Sequence, residues 1–234
     1  MRELAQARPR FGYRRIDVLL LRDGWRVNIK RVRRLYRIEG LQLRLRTRRR
    51  KRASLHRSVP PAASRADERW SMDFVHDSLL DGRAFRALTV IDQCSRWSPV
   101  VEVAQSMSGG AVAEALDRAI SKHGKRNTIT VDHGTEFTSR ALDEWAYRRG
   151  IALDFIRPGK PVENGHIESF NGKLRDACLN AHQFLSIDDA RRKIEAWRMD
   201  YNLHRPHSAL RQLSPAEFLK RRSNEDEEAA LVLI

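Results

Sequence analysis

Cysteine is scarce: Cys94 and Cys178 are the only two in 234 residues, with no C-x-x-C spacing between them. A disulfide-stapled scaffold is therefore excluded. Long apolar runs are missing too, and no stretch approaches the ~18 uninterrupted apolar residues of a membrane span. The opening decapeptide, MRELAQARPR, has no apolar h-region of a secretory leader, so the chain is expected to be cytosolic. Aromatics are only 7% of residues, yet the 41% hydrophobic content is enough for a packed core and excludes wholesale disorder. The length suits one to two domains.

What is present in excess is positive charge. The formal net charge is +15, but residues 1–58 hold 20 Lys/Arg against 4 Asp/Glu, a net +16, and residues 59–234 are left at −1. A cationic piece is thus joined to a near-neutral body. Counterion release rewards each Lys/Arg–phosphate contact, which makes nucleic acid the expected partner. A merely solubilising tail is the blander reading.

Within residues 1–45 the apolar spacing is helical. Ile16, Leu19 and Leu20 fall at i, i+3 and i+4, and Asp23-Gly24 breaks the pattern. Asn28 can cap a second helix from Ile29, with Val32, Leu35 and Tyr36 inward and Gly40 ending it. That helix carries Lys30, Arg31, Arg33, Arg34 and Arg37. Two short helices, a tight turn and a cationic second helix outline a helix-turn-helix domain over 1–45. A plain helical hairpin with solvated arginines is the alternative. Residues 46–65, with Arg48, Arg49, Arg50, Lys51 and Arg52 and then Pro60-Pro61, read as a basic, proline-stiffened linker that tracks phosphates.

From Trp70 the period changes. Trp70–His76, Phe85–Ile91 and Pro99–Val103 read as three antiparallel strands, separated by Asp81-Gly82 and Cys94-Ser95-Arg96. A helix over Gly110–His123, a strand Thr128–Val131, a helix Ser139–Arg149 and a strand Ala152–Ile156 follow. The order predicts an α/β fold, a mixed five-stranded sheet flanked by helices. The next helix begins near Pro161 with Ile167, Phe170, Leu174 and Ala177 as its buried stripe. Asn164, Glu168, Asn171, Gly172 and Arg175 gather on another, polar face. Ser186 opens a helix with Ile187, Ala190, Ile194, Trp197 and Tyr201 inward, and Ser214-Pro215-Ala216-Glu217 is a capping box for a final short helix. The core is read as 66–222, its helical C-terminal extension as 183–222, and 223–234 as an acidic-apolar tail.

Three carboxylates draw the eye. Asp73 stands mid-strand in Trp-Ser-Met-Asp-Phe-Val, where aspartate is disfavoured. Asp132 ends the fourth strand, and Glu168 lies on the polar helix face, with 35 residues between the two. Acids at strand centre, strand end and helix face can converge at one sheet edge. They would repel unless cations sat among them, and hard oxygen ligands suit Mg²⁺ or Mn²⁺. Two such ions could bind the attacking and leaving oxygens of a phosphodiester. With 30 acidic residues in the chain, a solvated carboxylate or turn former is the ordinary reading of each taken alone.

The words around these acids resemble bacterial insertion-sequence transposases of the OrfB type, which have a retroviral-integrase-like core. The similar segments are Trp70-Ser71-Met72-Asp73, Ile91-Asp92 with Ser95-Arg96, Asp132-His133-Gly134-Thr135-Glu136-Phe137, Lys160-Pro161-Val162-Glu163-Asn164, and Ile167 through Arg175. Tyr201-Asn202, Arg205-Pro206-His207-Ser208-Ala209-Leu210 and Ser214 through Phe218 resemble the group's C-terminal signature, and residues 11–16 and 31–36 its N-terminal helix-turn-helix. The similarity spans about residues 3–222. It implies a ribonuclease-H-like fold, a catalytic and metal-binding triad of Asp73, Asp132 and Glu168, and Mg²⁺-dependent cleavage and strand transfer at the element's ends. It further implies that Lys160, Asn164, Asn171 and Arg175 contact or orient double-stranded DNA. Arg14, Arg15, Lys30, Arg31, Arg33 and Arg34 are the expected DNA contacts of the N-terminal domain. A homo-multimer on DNA and an upstream-frame partner or fusion (OrfA) are implied as well.

Two further readings use the same residues. A catalytically silent, truncated remnant would grip DNA through residues 10–57 and repress transposition. A ribonuclease or junction nuclease would explain the carboxylates but not the N-terminal helices. His204 and His207 lack a cysteine pair, so a zinc site is not expected. Trp70, Trp97, Trp145 and Trp197 are expected in the core, and Cys94 and Cys178 as buried small hydrophobes.

Overall fold

A computed structural model describes residues 1–43, 68–124, 127–157 and 164–231. The basic linker expected over 46–65, with Arg48, Arg49, Arg50, Lys51 and Arg52, lies outside the described residues, as does Lys160. By their contacts the residues fall into two units, one of Met1–Val59 with Pro206–Gln212, the other of Pro60–Arg205 with Leu213–Ile234.

The first unit holds α1 (Arg2–Ala7), α2 (Tyr13–Arg22) and α3 (Ile29–Ile38). Ala5, Phe11, Ile16, Leu19 and Tyr36 form its small core. The Asn28 side chain accepts a hydrogen bond from the Lys30 amide at 2.8 Å and so starts α3 as its spacing predicts. Gly40, at φ 65°, takes the left-handed conformation that ends the chain's helical course there. Helix α1 has no counterpart in the sequence reading, since six residues ahead of Pro9 give too short a period to register. Pro206–Gln212, placed by the sequence in the C-terminal extension, groups instead with these helices.

The second unit is built on a five-stranded sheet of β1 (Arg69–Ser78), β2 (Ala84–Asp92), β3 (Val101–Ala104), β4 (Thr128–Val131) and β5 (Ala152–Phe155), in the order β3-β2-β1-β4-β5. β1–β2 and β2–β3 are antiparallel; β1–β4 and β4–β5 are parallel. The sheet is thus mixed, as the strand and helix order predicts. Helices α4 (Gly109–His123) and α5 (Arg140–Arg149) supply the crossovers between the parallel strands. Strand β3 starts two residues later than expected, and Ser98 ahead of it is engaged elsewhere: Asn202 accepts from the Ser98 amide at 2.9 Å and donates to its carbonyl at 2.8 Å.

Period-two alternation gives the sheet two apolar faces. Trp70, Met72, Leu88, Val90, Ile129 and Val131 pack on one face with Val112, Leu116, Leu142 and Trp145 from α4 and α5. On the other, Val75, Phe85, Ala87 and Val103 meet Leu174 of α6 (Gly165–Ala177) and Ala190 and Ile194 of α7 (Ile187–His204). Ile91, Ile167, Phe170 and Tyr201 form a smaller cluster beside them. The Ser214–Glu217 capping box is reciprocal: Glu217 accepts from the Ser214 amide at 2.6 Å and donates its own amide to Ser214 Oγ at 3.3 Å. The helix it opens, α8 (Pro215–Leu231), is not short and takes in most of the stretch read as a tail. Trp70 and Trp145 are buried as expected, whereas Trp97, Trp197 and Cys94 are half-buried. Among the described residues no helix is long and apolar enough to cross a membrane.

Candidate active site

Strand register brings the first two acids side by side. β1 and β4 pair as Arg69↔Thr128, Trp70↔Ile129 and Ser71↔Thr130. Continuing that register two residues beyond the last pair sets Asp132 beside Asp73. Since Trp70 and Met72 point into the α4/α5 core, alternation turns Asp73 to the opposite face, the one that α6 covers. On α6, Ile167, Phe170 and Leu174 are buried. Glu168, Asn171 and Arg175 occupy the neighbouring stripe at i, i+3 and i+7.

Asn171 makes the link between helix and strand. Its Nδ2 donates to Asp73 Oδ2 at 2.8 Å, and its Oδ1 lies 2.8 Å from the Thr89 hydroxyl. Thr89 is the register partner of Asp73 on β2, and its hydroxyl also lies 3.0 Å from the Asp73 carbonyl oxygen. The Phe74 amide donates to Asp73 Oδ1 at 2.7 Å, so both carboxylate oxygens are held. Thr89 is fully buried. It was not singled out in the sequence, although a lone hydroxyl in Ala87-Leu88-Thr89-Val90 is the sort of polar intrusion that marks a built contact.

Burial pushes the Asp73 carboxyl up to about 6, with the charges of Asp132 and Glu168 adding to the rise; the Phe74 amide and Asn171 work against it. Asp73 therefore feels both of the other acids. Among the described residues, no three His, Cys, Asp or Glu side chains stand close enough to hold a metal ion as placed. Charge coupling reaches further than coordination, and the three acids share a field without forming a closed cage. As a donor set they fit a hard divalent cation: all ligands are carboxylate oxygen, and their mutual repulsion is the kind that such a charge relieves.

The loop after Asp132 is tightly determined. The Gly134 amide donates to Asp132 Oδ1 at 2.9 Å, and a Cβ at Gly134 would stand 3.0 Å from that same oxygen. Further along, Glu136 is bridged to Arg86 of β2, whose guanidinium lies 3.8 Å from the Phe74 ring centroid; Phe74 stacks on Phe137 at 5.1 Å. Ser139 Oγ donates to the Glu136 carbonyl at 2.7 Å and caps α5. In the sequence Glu136 and Phe137 are visible only as part of a motif. Their partners Arg86 and Phe74 lie on other strands, which spacing cannot reveal.

Asn164 is buried, at 4% exposure, and its Oδ1 has no hydrogen-bond partner among the described residues. Arg175 is exposed and donates to the His76 carbonyl at 3.3 Å. Asp92, within Ile91-Asp92 and Ser95-Arg96, is a buried turn former whose Oδ1 accepts from the Cys94 amide, the Ser95 amide and the Ser95 hydroxyl. Arg96, at φ 62°, contacts His166 of α6, and burial with the nearby Arg96 charge lowers that imidazole to about 4. In the first unit Arg14, Lys30, Arg31, Arg33 and Arg34 are exposed, while Arg15 is half-buried over Phe11.

Strand order, mixed pairing and helix placement define an integrase core of ribonuclease-H-like type, with a helix-turn-helix-like unit ahead of it. Residues 63–161 and 149–215 match the integrase core domain family, and residues 1–51 match an HTH-like domain family. The chain is similar to the HTLV-2 integrase catalytic core domain solved in complex with magnesium, with a TM-score of 0.53 and 20% identity over 65% of this chain and 96% of that one. It is also similar to a chain of the simian T-cell lymphotropic virus intasome, at TM-score 0.58 and 15% identity over 82% and 67%.

Among curated relatives, an insertion element IS407 protein of 31.7 kDa from Burkholderia multivorans is 48% identical over 229 residues, 97% of this chain and 82% of its own length. An IS476 protein of Xanthomonas euvesicatoria is 44% identical, and this chain spans 62% of it. The putative transposase InsK for IS150 of Escherichia coli is 25% identical over 90% of this chain. The chain belongs to the integrase-core transposases of bacterial insertion sequences, of the OrfB type.

Proposed function

We propose that this chain is the catalytic subunit that cuts and joins DNA at the ends of an insertion sequence, with Asp73, Asp132 and Glu168 as its catalytic, metal-holding residues. The observation that carries the reading is the clasped, charge-coupled Asp73: an acid in the middle of a strand, fixed at both oxygens, in the field of Asp132 and Glu168. Structural aspartates of this kind are ordinarily paired with a cation of the protein. None of the causes acting on Asp73 is a Lys or Arg charge, which suits a carboxylate kept for an external cation.

Divalent ions held by these three acids, Mg²⁺ or Mn²⁺ and two per site, would activate the attacking oxygen and stabilise the departing one. The chain's own part is placement. Asn171 and the Phe74 amide aim the Asp73 oxygens, the Gly134 amide aims Asp132, and α6 presents Glu168 at the exposed rim where a phosphodiester can approach. In cleavage, a water oxygen bonds to phosphorus as the bond to the 3′-oxygen breaks. In transfer, the freed 3′-hydroxyl oxygen bonds to a target phosphorus as that phosphorus loses its bond to the target strand's 3′-oxygen, which leaves as a hydroxyl. Neither step needs a covalent link to the enzyme.

The cationic exposed side chains of α2 and α3 and the expected linker arginines serve to hold duplex DNA by its phosphates. Lys160, Asn164 and Arg175 belong to the same proposal as residues that orient DNA near the acids. Joining needs two element ends at once, so the working form is a multimer on DNA. The direct test is a nicking assay on a labelled duplex carrying the cognate element end. Activity that needs Mg²⁺ or Mn²⁺ and leaves 3′-hydroxyl ends is expected; cleavage undiminished in EDTA refutes the reading.

A further inference from the structure

Tyr201 and Asn202 are neighbours on α7 and reach different parts of the second unit. Asn202 is fully buried and bonded through both side-chain atoms to the Ser98 main chain, whose carbonyl also accepts from Arg198 Nη1 at 2.5 Å. Nearer the start of α7, Arg191 Nε donates to the Val103 carbonyl of β3 at 3.0 Å. The helix is thereby pinned to β3 and to the chain leading into it. Tyr201 turns instead to α6. Its ring meets that of Phe170 edge-on, with centroids 4.9 Å apart and planes at 87°. Trp197, one turn earlier, meets the same Phe170 ring at 5.5 Å and 64°, and the Tyr201 ring at 5.3 Å. Phe170 is thus wedged by two rings of a fixed helix, with Ile91 and Ile167 closing the cluster.

The wedge matters because of what α6 carries. Glu168 is exposed and stands two residues before Phe170, on the stripe beside the buried one. Asp73 and Asp132 each accept a hydrogen bond from a main-chain amide of their own strand or loop, whereas the place of Glu168 follows from that of α6. A side-chain end lies about 5–6 Å from its helix axis, so a roll of α6 by about 20° would carry it about 2 Å. Oxygens around a hard divalent ion tolerate only about 0.2 Å. Asn171 resists such a roll through its bond to Asp73, and Phe170 resists it through the two rings.

We propose that Tyr201, assisted by Trp197, is a positioning residue for Glu168: the two rings fix the roll of α6 through Phe170 and so set where the Glu168 carboxylate stands relative to Asp73 and Asp132. The proposal rests on the three-acid reading and adds to it residues outside the acid cluster.

The test measures Mn²⁺ binding to the full chain without DNA, by electron paramagnetic resonance of the free ion, beside urea unfolding of every variant. Tyr201→Leu should weaken Mn²⁺ binding about tenfold or more, the scale on which groups behind a metal ligand act, and raise the Mg²⁺ needed for half-maximal nicking by a like factor. Trp197→Leu, at a half-buried position and milder for the fold, should weaken binding in the same direction. Tyr201→Phe keeps the ring and should stay within about twofold. Leu116→Ala, in the core on the sheet's other face, lowers stability without touching α6 and should also stay within about twofold. In a Glu168→Gln background Tyr201→Leu should cost nothing more, because the group it aims is gone. Should Tyr201→Leu fail to fold, Trp197→Leu alone and in the Glu168→Gln background decides in the same way. Wild-type Mn²⁺ binding by a folded ring variant overturns the proposal. So does an equal loss in Leu116→Ala, or an effect undiminished in the Glu168→Gln background. In each of those cases Glu168→Gln by itself still weakens binding and the three-acid reading stands. If Glu168→Gln binds Mn²⁺ as the wild type does, that reading falls and this proposal with it.

Discussion

Replacing Asp73 by asparagine should make the metal-free protein more stable, although it removes a charged hydrogen-bond acceptor. Raising the Asp73 carboxyl from 3.8 to about 6 corresponds to about 3 kcal/mol of disfavoured ionisation, at 1.36 kcal/mol per tenfold. For an acid raised in the folded state, the stabilising contribution is fully present below pH 4 and lost as the pH climbs through about 6. At pH 8 the wild type therefore carries the whole penalty and Asp73→Asn carries none. The hydrogen bonds can survive the change. If the Asn171 amide turns over, its Oδ1 accepts from the new carboxamide at position 73 and its Nδ2 donates to Thr89, whose own proton goes to the main-chain carbonyl of residue 73, 3.0 Å away. Without that reversal two amide donors would face each other at about 1–3 kcal/mol. The expected gain is about 1–3 kcal/mol at pH 8 in EDTA, or roughly 3–10 °C in Tm for a chain of this size, and about zero at pH 4. Urea unfolding at the two pH values measures it. Equal destabilisation of the variant at pH 4 and pH 8 would refute the argument, because packing and not charge would then dominate.

Other substitutions read other parts of the account. Gly134→Ala should cut nicking at least tenfold with little loss of stability, since its methyl group would press within 3.0 Å of Asp132 Oδ1; activity and urea midpoints together decide it. Glu136→Gln should cost about 2–4 kcal/mol by leaving Arg86 without its charge partner, while the double change Arg86→Met, Glu136→Leu should recover most of that. Ser214→Ala should cost about 1 kcal/mol through the lost cap of α8. Thiol labelling of the native protein should reach Cys94 well before Cys178, whose thiol burial pushes up to about 12.

Much of the architecture was legible because it is local. The Asn28 cap, the Ser214–Glu217 box and the stripe Ile167, Phe170, Leu174 are decided by residues three or four apart, and each stands where spacing put it. The strands were legible from period two, but not that β1 and β4 are parallel neighbours, nor that Asp132 stands one residue past the end of β4. What escaped depends on pairing across the sheet or between helix and strand. The Asn171–Asp73–Thr89 clasp joins residues up to 98 apart, and the Arg86–Glu136 bridge spans 50. No periodicity announces such partners. Asn171, expected to orient DNA, also ties Asp73 to Thr89. The β3 start was misjudged for the same reason: Asn202, 104 residues away, takes up the Ser98 backbone.

The central claim is that Asp73, Asp132 and Glu168 act as one site. Its most direct measurement is strand nicking on the cognate element end by Asp73→Asn, Asp132→Asn and Glu168→Gln, each alongside a binding titration on the same duplex. Each single change should abolish Mg²⁺-dependent nicking and leave duplex affinity within about twofold. Nicking at wild-type rate by any one of the three contradicts the account.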